Sequence, residues 1–131
     1  MANVSAELQW LTVRKSNRFV LRGRTADRRE FSRDAGNASN RNAFNTTGLA
    51  GRNVSVELTP KGQAVVVSRA AFGERKGPFL KHTPVKGGRK KVVAAVDAAV
   101  AETGRHDLRR PVLARYARIH RSHQRGTQKK K

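Results

Sequence analysis

The chain has no cysteine, one tryptophan, one tyrosine and only nine acidic residues among 131. Without cysteine there is no disulfide framework and no thiolate-bound zinc to hold a small domain together. No apolar run approaches the ~20 residues that span a bilayer, and no helix shows the broad Leu/Phe/Trp face of a membrane-surface segment, so no membrane partner is expected. Met1-Ala2-Asn3-Val4 lacks a basic region followed by an apolar stretch, which points to a cytosolic or nuclear chain without a signal peptide. The four Asn-x-Ser/Thr sequons are therefore not read as glycosylation sites.

Catalytic constellations are also missing. The acids are scattered, and there is neither a Gly-x-Ser-x-Gly elbow nor a phosphate loop. His120 and His123 share a helix face at i and i+3, but no cysteine or nearby carboxylate completes a metal site with them, His82 or His106. Gly48-Leu49-Ala50-Gly51 has the glycine spacing of a KH-type backbone clamp but precedes a strand, where that clamp does not occur. No catalytic residue, cofactor, metal or small-molecule substrate is expected.

What the chain does carry is positive charge: 29 Lys and Arg give a formal net charge of +20 and a pI near 11.9. A polyanion is the expected partner. Nucleic acid fits best, because guanidinium groups match phosphates bidentately and binding releases condensed counterions. The strongest core formers, 8 Leu, 14 Val, 1 Ile and 5 Phe, lie close to the rough 20% level below which charged chains stop folding alone. The core must be small, and basic extensions are expected to be ordered by RNA, since each ordered residue costs about 1 to 2 kcal/mol of backbone entropy.

The pattern predicts an α+β fold. Ser5 caps a helix from about Ala6 to Val13 with Ala6, Trp10 and Val13 on one face and Trp10 as its anchor. Phe19-Val20-Leu21 and Glu30-Phe31-Ser32 read as a strand pair, followed by an Asn/Ser/Thr/Gly-rich loop from Arg33 to Arg52. Val54, Val56 and Leu58 alternate with Ser55 and Glu57, Thr59-Pro60-Lys61-Gly62 turns with Gly62 at positive φ, and Ala64 to Val67 returns as a hairpin. Val92, Val96, Ala99 and Val100 have helical spacing that stops at Gly104, and Asp107 caps a last helix striped by Leu108, Val112, Tyr116 and Ile119. The parts are a 1–72 helix and hairpin core, a 73–88 irregular basic connector, an 89–125 two-helix part and a 126–131 basic tail.

The charges cluster. Arg110, Arg118, Arg121 and Arg125 fall within a sector of roughly 80° on the last helix, away from its apolar stripe, and no acid follows Asp107 to balance them. Arg14, Lys15, Arg18 and Arg22 flank the first helix and strand, with Arg24, Arg28 and Arg29 beyond. Arg89, Lys90 and Lys91 open a helix where the macrodipole disfavours cations, so an external phosphate explains them better than intrahelical pairing. With Arg41 and Arg52 of the central loop and Lys76 and Lys81 of the connector, these are the candidate RNA contacts; Lys129, Lys130 and Lys131 join Arg89 to Lys91 as a candidate nuclear import signal. Phe44, Phe72 and Phe79 are read as satellite hydrophobic contacts, with base stacking as the alternative.

These residues also resemble a known family. Ser5 to Arg14, with its Leu8-Gln9-Trp10 centre, is similar to the N-terminal helix of the eukaryote-specific large-subunit ribosomal proteins numbered twenty-eight. Phe19 to Leu21, Arg41 to Phe44, Gly48-Leu49, Val54 to Ser68 and Asp107 to Arg109 extend the likeness over roughly residues 4 to 122. The resemblance implies a small α+β fold without catalytic residues, and a structural place in the large subunit, assembled in the nucleolus and working in the cytoplasm. It implies the large subunit's ribosomal RNA and neighbouring ribosomal proteins as partners. A ribosome-biogenesis factor and, from another class, a DNA-binding basic protein remain the alternatives.

Overall fold

A computed structural model describes residues 4–23, 29–69 and 80–128. Its elements run α1 (Ala6–Val13), β1 (Val20–Arg22), β2 (Glu30–Ser32), β3 (Asn53–Leu58), β4 (Ala64–Arg69), β5 (Lys81–Val85), α2 (Arg89–Thr103), a 3₁₀ turn (His106–Leu108) and α3 (Arg109–Gln128). Strands β1 and β2 form a two-stranded antiparallel sheet, and β3-β4-β5 form a three-stranded one. The fold is α+β.

The central hairpin follows its turn chemistry. Gly62 has φ 81°, its amide donates to the Thr59 carbonyl at 2.8 Å, and β3 pairs with β4 from Asn53 opposite Arg69 to Leu58 opposite Ala64. One sheet face carries Val54, Val56, Ala64 and Val66 into a core with Val92, Val96, Ala99, Val100, Leu108, Val112 and Tyr116 of the helices. Each fully buried valine there stabilises the fold by about 1.5 to 3 kcal/mol. Helix α3 lies against β3 and α2 against β4. Helix α2 ends, as expected, at Gly104 with φ 69°.

The other sheet face is buried too, although it sets polar Asn53 and Ser55 beside Val67. Ser55 and Asn53 are 0% and 1% exposed, because the 33–52 loop covers them as a third layer. The Asp34 carboxylate, itself buried, organises that layer: Oδ1 accepts from the Ser32 hydroxyl and from Asn37 Nδ2 at 2.9 Å, and Oδ2 accepts from the Thr47 hydroxyl at 3.0 Å and the Gly48 amide at 2.6 Å. Four acceptor positions thus meet four donors. Asn53 Nδ2 reaches the carbonyls of Gly36, Thr46 and Thr47, the Ser55 hydroxyl donates to the Asn37 carbonyl at 2.9 Å, and Arg69 Nη1 donates to the Gly48 carbonyl at 2.6 Å. Helix α1 sits on this loop: the ring centroids of Trp10 and Phe44 are 6.4 Å apart, and Ala6 lies beside Gly51.

Three expectations need correction. Strand β1 starts at Val20, since Phe19 is in a turn whose amide is taken by the Asn17 side chain at 3.0 Å. Residues 81–85, expected to be irregular, form an edge strand; Pro84 is tolerated there because an edge strand leaves one row of backbone groups without a ladder partner, and Val85 alone supplies an apolar anchor. Asp107 does not cap α3 but lies in the 3₁₀ turn, where Arg105 occupies its carboxylate. Pro111 falls at the third position of α3, within the first turn, where its missing N–H has no intrahelical bond to lose.

Gly48 is fixed by close approach: a Cβ there would stand 1.9 Å from the Ala35 carbonyl oxygen. Gly48→Ala is therefore expected to cost more than about 4 kcal/mol, well outside the usual range for a point change. A thermal melt of the variant within a degree of the parent chain would contradict this packing.

Candidate nucleic-acid interface

The arginines divide by direction. Arg105, Arg109 and Arg115 flank the buried stripe of α3 or precede it, and all three are engaged internally. Arg115 donates from Nε to the Val56 carbonyl at 2.9 Å and from Nη1 to Asn40 Oδ1, fastening α3 to the strand and the loop. Burial lowers its pKa while the carboxylates of Glu57 and Asp34 pull it back up, and an arginine starting so high stays charged. Arg105 donates to the Arg52 and Asn45 carbonyls at 2.9 and 2.6 Å, fastening the α2–α3 junction to the loop. Arg109 forks onto Asp97 at 2.6 and 3.2 Å.

The outward set is different. Arg110, Arg118, Arg121 and Arg125 are exposed, and no hydrogen bond or ion pair engages them. Exposed Arg14, Lys15, Arg18, Arg41, Arg89, Lys90 and Lys91 likewise have no ion pair, although the Arg18 guanidinium lies 5.1 Å from the Phe19 ring centre. Two candidates have acidic partners: Arg22 with Glu30 at 3.7 Å and Lys81 with Glu102 at 3.3 Å. Such exposed pairs are worth only about 0 to 1 kcal/mol, so they yield readily to a phosphate. Arg52 is exposed; Lys76, Arg24, Arg28, Phe72, Phe79 and residues 129–131 lie outside the described residues.

Tertiary structure brings separate clusters together. A cleft of about 580 Å³ between the β3–β4 turn, the start of α2 and α3 joins Arg89 to Arg121, with Lys61 and His120. A second, of about 500 Å³, joins Arg41 of the loop to Arg118. A shallower depression of about 260 Å³ holds Arg14 and Lys15 beside Trp10 and Phe44, and shares Ala43 with the second cleft. Helix α3 is thus a common wall between two basic clefts, and the second leads on to α1. Lys61 was missed by sequence reasoning, which saw it only as a turn residue. Phe44 makes the satellite contact expected of it, with Trp10. His120 turns to the Tyr116 ring at 5.5 Å and His123 donates from Nε2 to the Pro60 carbonyl at 3.3 Å. Among the described residues no three His, Cys, Asp or Glu side chains gather as a metal site, and no helix is long and apolar enough to cross a membrane.

The sequence model of the ribosomal L28e protein family matches residues 8–122. The chain belongs to the ribosomal L28e protein family. The match takes in every element from the body of α1 to most of α3, including the lining of both basic clefts apart from Gln124. An L28e protein is a structural constituent of the ribosome's large subunit, so its surroundings are ribosomal RNA and ribosomal proteins. That setting suits a chain whose inward arginines hold the fold and whose outward arginines on α3 have no acid to pair with.

Two acids reinforce the inward set. The guanidiniums of Arg109 and Arg105 hold Asp97 and Asp107 below the ordinary carboxylate value of 3.8. Their contribution to stability is complete above that value and is lost as pH falls below it, through the lowered folded-state pKa values. Acid unfolding of the parent chain should therefore steepen below about pH 4 relative to a D97N/D107N double variant. Parallel stability curves for the two chains down to pH 2 would contradict the pairing.

Proposed function

We propose that the chain binds and stabilises ribosomal RNA, holding neighbouring segments of it against the α3 face and the clefts on either side, and that it joins the large subunit during nucleolar assembly before working in cytoplasmic ribosomes. The observation that carries this reading is the row Arg110, Arg118, Arg121 and Arg125: four exposed guanidiniums on one helix with no internal partner. A solvated surface normally mixes signs to limit repulsion, and no acid follows Asp107. Arg41, Arg89 and the Arg14–Lys15 pair extend the positive surface to the loop, α2 and α1. Phosphates bring the missing negative charge, and counterion release supplies affinity without base-specific contacts.

The triple variant R118A/R121A/R125A tests this. Each lost phosphate contact should reduce the slope of log affinity against log salt by about 0.7 to 0.9, so the slope for large-subunit RNA should fall by about 2 to 3 while the thermal midpoint stays within a few degrees. An unchanged slope, or absence of the parent chain from salt-washed large subunits, would refute the reading.

A further inference from the structure

The cleft at the start of α2 has a feature that general positive charge does not explain. Helix α2 is 15 residues long, yet its N-cap is Gly88, which offers no side-chain acceptor, and its first turn contains no acid. The first amides of such a helix point outward as donors and favour an anion. Arg89 and Lys61 stand at the same cleft, and Arg121 and His120 face them from α3; no acid lines it. Electrostatics there is of one sign.

The second feature is independent. Tyr116 is 7% exposed and belongs to the hydrophobic core cluster, but no hydrogen bond engages its hydroxyl. That oxygen is not among the sealed polar atoms without a partner, so it reaches open space, and the space Tyr116 borders is this cleft. A tyrosine at the edge of a core keeps its ring dry and offers its O–H to whatever occupies the adjoining space. Tyr116, the start of α2 and the two arginines line one space of about 580 Å³, within the roughly 300 to 1,000 Å³ of small-ligand sites.

We propose that this cleft is a site for a single unpaired nucleotide of the bound RNA. Its phosphate oxygens accept from the α2 amides, Arg89 and Arg121, and the Tyr116 hydroxyl bonds to the phosphate or to the ribose 2′-OH. The site deepens the RNA-binding reading above and rests on it. It differs from the rest of the basic surface in being saturable and in depending on an uncharged residue.

The test is an NMR titration of the full ¹⁵N-labelled chain with uridine 5′-monophosphate, inorganic phosphate and a ten-residue oligouridylate, in parent and Y116F forms. Uridine monophosphate and the oligonucleotide should give saturable shifts centred on the Gly88, Arg89 and Lys90 amides, with inorganic phosphate binding more weakly. Y116F should weaken uridine monophosphate about three- to tenfold, the effect of one lost hydrogen bond to a charged acceptor, without lowering the thermal midpoint, because the hydroxyl has no partner within the fold. Shifts spread over all basic faces without saturation, or affinity indifferent to Y116F, would overturn the site. Equal affinity for inorganic phosphate and the nucleotide would overturn it as well. Co-sedimentation of the parent chain with salt-washed large subunits is measured alongside; a chain that co-sediments but shows none of these shifts refutes the cleft and leaves the RNA-binding reading standing.

Discussion

A single buried carboxylate carries much of this architecture. Asp34 accepts four hydrogen bonds, from Ser32, Asn37, Thr47 and the Gly48 amide, and so draws a 20-residue irregular loop into one compact layer. A carboxylate removed from water is tolerable only when its lone pairs are satisfied, and removing one partner of such a network leaves an uncompensated charge. The loop in turn covers the second face of the β3–β4 hairpin and provides the seat for α1 through Phe44 and Gly51. Without it the sheet would have one dry face, and the first helix would have nowhere to pack.

This arrangement answers the problem set by composition. With 28 strong core formers in 131 residues, the chain fills one sheet face with valines and covers the other with hydrogen-bonded polar groups. The same economy sorts the charges. Arginines at the edges of the apolar stripe, Arg105 and Arg115, satisfy loop and strand carbonyls, and Arg69 reaches the Gly48 carbonyl from within the sheet. Those on the opposite sector of α3 are left to the solvent side. A ribosomal constituent needs this division, since a cation cannot serve both as an internal strut and as a contact for an external phosphate.

Much of the fold was legible in the sequence, and the exceptions have physical reasons. The hairpin was readable because Pro60 and Gly62 impose a turn, and α2 because Val92, Val96 and Val100 repeat at helical spacing before Gly104. The burial of Ser55 was not legible, because its cover is a polar loop, which leaves no apolar signal. Strand β5 was missed because Lys81, His82, Thr83 and Pro84 are exposed and join the sheet through backbone pairing alone. For the site, the outward sector of α3 follows from helical geometry, whereas the meetings of Arg89 with Arg121 and of Arg41 with Arg118 depend on tertiary packing. That the Tyr116 hydroxyl has no partner within the fold was hidden for the same reason: its place in an apolar stripe marks it as core and says nothing of its oxygen.

Amide hydrogen exchange on the full, RNA-free chain tests the central claim most directly. If Asp34 holds the loop as a folded layer, the Gly48 amide, which it accepts at 2.6 Å, exchanges about as slowly as the amides of Val66 and Val67 in the central strand. Exchange of Gly48 at the rate of an unprotected loop, with the strand still protected, would show that the loop does not form this layer and would contradict the account.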